Sequence, residues 1–261
     1  HSRRPVPQYV GALGRMETKL HLDILPQPDC TTCGPTCLHA LYRYYGDDLP
    51  LERVISESQQ LKEGGTLAPF LGTHALRRGY EATIYTYDLQ VFDPTWFLNP
   101  AANLTEKLRA QMSVKCVPKL HVASQAYLDF IQLGGRLRME DLTAALVRNF
   151  LNRGTPILAG LSATYLYRES REYGPRFEPD DVRGEPAGHF VVLCGYDRET
   201  RSVLVADPLK PNPFSPTHQY AASIDRVLCA ILLGILTYDA KLLIIEPRKE
   251  KKRRADPDRR Q

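Results

Sequence analysis

Residues 27–37 read QPDCTTCGPTC and place three of the six cysteines of this 261-residue chain within eight positions. Such a cluster fits three kinds of chemistry: a metal site, a redox pair, or one nucleophilic cysteine beside two others. Apolar residues then recur at helical spacing over 34–45 and Gly46 ends the pattern, which predicts a helix. The chemistry of the cluster therefore depends on which cysteine lies at the start of that helix.

The metal and redox interpretations find little support. Cys30, Cys33 and Cys37 offer three ligands, and no second Cys or His pair at ligand spacing supplies a fourth, so we expect no metal and no other cofactor. A redox Cys-x-x-Cys normally follows an early strand, whereas the two prolines of DILPQPD (residues 23–29) argue against a central strand there.

Cys33 has the position that a nucleophile needs. Gly34 and Pro35 suit a first helical turn, where the missing N–H of proline costs nothing. The unpaired N–H groups and the dipole of a helix N-terminus favour thiolate over thiol. Cys37 would lie one turn further on the apolar face, and Cys30 in the approach loop. We interpret both as bystanders, although a Cys30–Cys33 disulfide would block the Cys33 thiol.

A base and an oxyanion donor can be named as well. If strands 189–197 and 202–207 form a hairpin centred on Arg198, His189 lies directly opposite Asp207, with Cβ atoms roughly 5 Å apart. An aspartate so placed fixes the tautomer and orientation of a histidine base. Gln27, six residues before Cys33, carries an amide that can donate to a developing oxyanion together with the Cys33 N–H.

The remaining pattern predicts an α+β fold, because helices dominate the first half and strands the second. We expect an N-terminal arm at 1–19, one domain at 20–246 and a basic, disordered tail at 247–261. The long polar stretch 164–188 is predicted to be a loop that borders a substrate cleft. The predicted helices are 34–45, 51–61, 67–78, 103–112, 122–133, 140–152 and 219–238, and the predicted strands are 80–87, 155–163, 189–197, 202–207 and 241–246.

Composition excludes several classes of protein. Hydrophobic residues make up 43% and charged residues 25%, as in soluble globular proteins. The tail carries a net charge of +5 and the rest of the chain −1, which gives +4 in total, so no nucleic-acid partner is expected. The apolar run 227–238 is too short to cross a bilayer. The isolated cysteines, Cys116, Cys194 and Cys229, predict a reducing, cytoplasmic compartment.

Together, QPDCTTCGPTCLHALYRYYG (27–46), GGTLAPFLGTHALRRGY (64–80), GHFVVLCGYD (188–197) and VLVADP (203–208) resemble the bacteriocin-processing, double-glycine-leader cysteine peptidases. The resemblance implies a bacterial, stand-alone member with a papain-like fold, in which the nucleophile begins a helix packed on an antiparallel sheet. It also implies a thiol-dependent hydrolase of peptide or amide bonds. Cys33 would be the nucleophile, His189 the base, Asp207 its orienting group and Gln27 part of the oxyanion hole.

Two alternatives stay open at this point. The same residues could serve an acyltransferase or transglutaminase-like enzyme, in which an amine rather than water resolves the Cys33 thioester. A third hypothesis, an inactive peptide-binding domain, ranks last because no residue of the set is missing.

Overall fold

The protein is described by a computed structural model that covers residues 10–11, 16–62, 64–99 and 103–248. Most of the predicted tail, 249–261, lies outside the described residues, as do residues 1–9 and 12–15 of the predicted arm. Of the helices that the described residues form, none combines the length and apolar character needed to cross a bilayer.

The described residues form eight α-helices and eleven strands, with short 3-10 helices at Pro94–Phe97 and Gly234–Thr237. The α-helices are α1 (Cys33–Tyr44), α2 (Leu51–Glu57), α3 (Ala68–Arg77), α4 (Leu104–Val114), α5 (Pro118–Gln132), α6 (Ala144–Asn152), α7 (Ala163–Tyr167) and α8 (Ile224–Leu233). The strands are β1 (Val10–Gly11), β2 (Thr18–Lys19), β3 (Tyr80–Thr86), β4 (Arg136–Arg138), β5 (Ile157–Ser162), β6 (Glu172–Tyr173), β7 (Glu178–Pro179), β8 (Gly188–Asp197), β9 (Ser202–Ala206), β10 (Gln219–Ser223) and β11 (Lys241–Pro247).

Nine of these strands form one sheet in the order β1-β10-β9-β8-β5-β11-β3-β4, with β2 paired to β8. Every pairing in it is antiparallel except that of β3 with β4. Strand β8 lies in the middle of the sheet and pairs with β9 on one side and with β5 on the other. The α+β class is therefore confirmed, and the strands β1, β2 and β3 from the first half also join the sheet.

The sheet is covered by helices on both faces. Helices α1, α3 and α5 pack on the face that carries Phe190 and Val192, and α6 and α8 pack on the face that carries Val191 and Leu193. Successive side chains of a strand point to opposite faces, which explains why these four neighbours divide between two cores. Helices from the two halves of the chain thus cover different faces.

Helix α1 packs on the central strand β8 and is buried along most of its length. Residues 34–42 are all buried, as expected for a helix that is apolar around most of its circumference. Its start is also tightly packed, because a Cβ atom added to Gly34 would lie 2.5 Å from Thr66 Cγ2. Glycine at this position lets the helix N-terminus approach the segment before α3.

Three local predictions need correction. The predicted helix 219–238 divides into strand β10, helix α8 and a 3-10 turn, because pairing with β9 overrides local helix preference. Parts of the predicted arm pair with the sheet, since β1 joins β10 and β2 joins β8. The segment 164–188 is a loop that also contains most of α7 and the small β6–β7 hairpin.

The predicted register of the β8–β9 hairpin is wrong by two residues. Val192 pairs with Ala206 and Asp197 with Ser202, and a bulge between Leu193 and Gly195 leaves Cys194 without a partner in β9. Continuing the register beyond β9 places Asp207 opposite Val191, so His189 is its diagonal neighbour. The turn is centred later than Arg198, and the bulge adds one residue to β8.

The bulge keeps His189 and Asp207 on one face. Without it, the register near the turn would place Asp207 opposite Val192, whose side chain points to the other face from His189. The extra residue in β8 shifts the alternation of its side chains by one position, so that His189 and Asp207 point to the same face. Bulges often redirect side chains in this way near functional sites.

The tight packing at the N-terminus of α1 leads to a prediction about the stability of a Gly34 variant. Gly34→Ala should lower the free energy of unfolding by about 1–3 kcal/mol, because the new methyl group overlaps Thr66 Cγ2. Thr66→Ser removes that methyl group and keeps the hydroxyl that donates to the Gln59 carbonyl. In urea unfolding, the double variant Gly34→Ala/Thr66→Ser should recover at least half of the loss relative to Thr66→Ser alone; no recovery would contradict this account.

Candidate functional site

Cys33 is the first residue of α1 and is partly exposed. Thr36, which follows in the first turn, is anchored by a hydroxyl donated to the Thr32 carbonyl at 2.8 Å. The buried helix behind Cys33 packs on β8, where the Cys37 thiol donates to the Phe190 carbonyl at 3.3 Å. The sequence prediction for the start of this helix therefore differs from the structure by one residue.

His189 lies at the beginning of β8, next to the N-terminus of α1. Its Nε2 atom is 2.9 Å from Asp207 Oδ1, and both side chains are buried. Cys33 acts on the same ring through its charge and through side-chain hydrogen bonding. The structure thus brings together three residues that stand 156 and 18 positions apart in the chain, because His189 is hydrogen-bonded to Asp207 and lines the same cavity as Cys33.

Asp207 accepts hydrogen bonds at both carboxylate oxygens. Oδ1 also receives the Leu209 N–H at 3.0 Å, while Oδ2 receives the hydroxyl groups of Tyr167 at 2.7 Å and Tyr220 at 2.8 Å. Sequence reasoning missed both tyrosines, because Tyr167 falls in the predicted loop and Tyr220 in a segment predicted as helix. Only the tertiary structure turns them toward one carboxylate.

These contacts determine the charge states of Asp207 and His189. Burial raises the pKa of Asp207, but the charge of His189 and the donated hydrogen bonds outweigh it, so that the net shift is downward. Burial lowers the pKa of His189, but the charges of Asp207 and Cys33 raise it on balance to about 10. Both directions favour an ionised carboxylate beside an imidazolium.

Gln27 lies in the segment before α1 and is buried. Its backbone N–H donates to the Pro208 carbonyl at 2.8 Å, which ties this segment to the residue after Asp207. Its side-chain Nε2 donates to the Asp29 carbonyl at 2.7 Å, and Oε1 is buried with no hydrogen-bond partner among the residues that the structure describes. One amide N–H is therefore engaged locally, and the second remains for another acceptor.

The other two cysteines of the cluster differ from Cys33. Burial, together with the nearby charges of Cys33 and Asp207, raises the pKa of the Cys37 thiol well above its usual value. Cys30 is exposed and lies in the turn before α1. Within 16–62, 64–99 and 103–248, no group of three His, Cys, Asp or Glu side chains is arranged to hold a metal ion.

Two adjoining cavities border His189. The larger, about 290 Å³, is lined by Cys33, Asp239 and the segment before α3. The smaller, about 170 Å³, is lined by Gln27. Glu172 and Phe177 from segment 164–188 line both cavities, so this segment lies beside the opening to Cys33.

The tyrosine contacts to Asp207 make a testable prediction. Tyr167→Phe and Tyr220→Phe should each lower the free energy of unfolding by about 1.5–3 kcal/mol, because each removes a hydrogen bond to a buried charge. Tyr87→Phe is the matched control, since the Tyr87 hydroxyl is buried without a partner among the described residues, and it should change stability by less than about 0.5 kcal/mol. Urea unfolding measures all three; equal effects would contradict the role of Asp207 as acceptor.

Comparison with solved structures finds peptidases of one family at low identity. The peptidase domain of Streptococcus ComA, a bi-functional ABC transporter of a quorum-sensing pathway, has 15% identity and a TM-score of 0.41, covering 87% of this chain and 100% of that one. A double-glycine-motif protease from an AMS/PCAT transporter, solved with its leader peptide, has 15% identity and a TM-score of 0.42, with coverage of 89% and 96%.

A C39-like peptidase from Bacillus anthracis has 12% identity and a TM-score of 0.45, covering 91% of this chain and 100% of that one. A search of curated proteins finds no match. The sequence model of the Peptidase_C39-like family matches residues 19–223, a range that contains Cys33, His189 and Asp207. Because that match covers more than half of the sequence, the chain belongs to the Peptidase_C39-like family.

Proposed function

We propose that this protein is a thiol-dependent hydrolase that cleaves a peptide or amide bond through a thioester on Cys33. Family membership supports a cysteine-peptidase type of function in general. The assignment of roles to residues rests on one observation above all: Nε2 of His189 is 2.9 Å from the fully buried Asp207 carboxylate, and Cys33 interacts with the same ring through charge and side-chain hydrogen bonding.

The first step forms the acyl-enzyme. Asp207 holds Nε2 of His189, so Nδ1 is the nitrogen that takes the proton of the Cys33 thiol. The thiolate attacks the substrate carbonyl carbon, and the oxygen gains negative charge. The Cys33 N–H and the second amide N–H of Gln27 donate to that oxygen. His189 then returns the proton to the leaving amine, and a thioester remains.

The second step releases the acyl group. His189 takes a proton from water, the resulting hydroxide attacks the thioester, and the Cys33 thiol leaves with the proton. An amine that reached the thioester before water would make the enzyme an acyltransferase. Hydrolysis is favoured because the cleft is open to water at Cys33, which is partly exposed.

Thiol reactivity tests the nucleophile independently of any substrate. With iodoacetamide at pH 6, Cys33 should label at least about tenfold faster than Cys30 or Cys37, because His189 beside it can take the thiol proton and the N-terminus of α1 favours negative charge. Cys37 should label slowest, since it is buried and its pKa is raised. Peptide mapping by mass spectrometry gives the three rates, and similar rates at all three cysteines would remove the basis for the assignment.

Substitution of the proposed residues tests the reaction. Against a peptide library, Cys33→Ala should abolish cleavage, Asp207→Asn should lower the rate by up to about 10⁴-fold, and Gln27→Ala by about 10²–10³-fold. Cys116→Ala is the matched control, since Cys116 is exposed between α4 and α5 and should leave the rate unchanged.

The products separate hydrolysis from acyl transfer. Mass spectrometry with and without an added primary amine should detect free carboxylates in both cases if water resolves the thioester. Amine adducts as the main product would establish the acyltransferase alternative. Cleavage that persists in Cys33→Ala would exclude both.

A further inference from the structure

The cleft beside Cys33 contains an acidic side chain that the proposed reaction does not use. Asp239 follows the 3-10 helix Gly234–Thr237 and lines the cavity of about 290 Å³ together with Cys33 and His189. The residue is only 7% exposed, so its carboxylate is almost removed from solvent and still borders the cleft.

Gly188 leaves the space that the Asp239 carboxylate occupies in the wall of the cleft. A Cβ atom added to Gly188 would lie 1.9 Å from Asp239 Oδ2, so any other residue at 188 would displace the carboxylate. The residue immediately before His189 therefore has no side chain, and the carboxylate of Asp239 takes that place in the wall of the cleft.

The surroundings compensate this charge incompletely. Within the described part of the chain Asp239 has no ion-pair partner. Lys241, the nearest buried cation, is 3.0 Å from Asp88 and also donates to the Tyr238 carbonyl. Lys119 is exposed, with Nζ 3.5 Å from the Thr237 carbonyl and 4.8 Å from the Tyr238 ring centroid.

The acidity of Asp239 follows from this environment. Burial raises its pKa to about 6, and Asp88 adds to this, while Lys241, the Thr237 hydroxyl and Lys119 act in the opposite direction. A carboxylate that is shielded from water and only partly compensated by positive charge interacts strongly with a cation that enters the cleft. A neutral substrate side chain beside Asp239 would leave the carboxylate without hydration or a counter-charge, and an acidic substrate side chain would be repelled.

We propose that Asp239 is a specificity-determining residue that selects a lysine or arginine side chain of the substrate, on the side of Cys33 away from Gln27. Gln27 lines only the smaller cavity, and Asp239 lines only the larger, which places the two at different ends of the cleft. The substrate class is thus a peptide or amide with a basic group near the scissile bond. This inference rests on the proposed function.

Matched peptides test the proposal. Lysine, Nε-acetyl-lysine, norleucine and glutamate are placed in turn at each of the three positions on either side of the cleaved bond, and initial rates are measured at pH 7.5. At one position, lysine should exceed norleucine and acetyl-lysine by at least about tenfold in kcat/KM. In Asp239→Asn this ratio should fall to within about twofold of unity. Asp48→Asn, which changes an exposed acid between α1 and α2 that lines neither cavity, should keep the ratio.

The outcomes are distinct. A wild-type protein that cleaves but shows no lysine preference at any position overturns the role of Asp239 and leaves the proposed function standing. Preference for glutamate that is lost in Lys119→Met also overturns it, in favour of an anion site. If Asp239→Asn does not fold, the wild-type comparison of lysine with acetyl-lysine decides. If no peptide is cleaved and Cys33 does not react with iodoacetamide, the proposed function is overturned, and this inference with it.

Discussion

One buried carboxylate holds the site together. Asp207 is fully buried, and it must be compensated where it lies because an unpaired charge in a protein interior is costly. Its donors come from four places: His189 of β8, Tyr167 of α7, Tyr220 of β10 and the backbone N–H of Leu209. Strand, helix and loop are therefore positioned by the same group that orients the imidazole.

The proposed nucleophile, Cys33, comes from the other half of the chain, and it is positioned by packing of α1 rather than by charge. Helix α1 is buried against β8, and Gly34 permits its N-terminus to approach Thr66. A backbone hydrogen bond from Gln27 to Pro208 fixes the segment before the helix to the segment after Asp207. The contact of His189 with Cys33 thus joins a helical half and a strand-rich half, as expected for the papain-like arrangement.

Two buried acids near this cleft have opposite shifts, and their partners explain the difference. Asp207 has four donors, one of which is the His189 imidazolium, and its pKa is lowered despite burial. Asp239 has no ion-pair partner among the described residues, and its pKa is raised to about 6. Asp207 is therefore held ionised by its own partners, whereas the carboxylate of Asp239 can still bind a cation. Different surroundings thus give two carboxylates different roles.

The sequence alone predicted the α+β class and most helices, because their signals are local: apolar spacing, glycine stops and a Gly-Pro pair after Cys33. It also singled out Gln27, Cys33, His189 and Asp207. It could not predict the bulge at Cys194, the strand β10 or the tyrosines on Asp207, since these depend on pairing between distant segments. The predicted register failed by two residues for that reason, and the shared face survived only because the bulge restored the alternation. Residue types and local elements were thus determined by the sequence, while the tertiary structure decided which side chains meet, because register and burial are set by contacts between residues far apart in the chain.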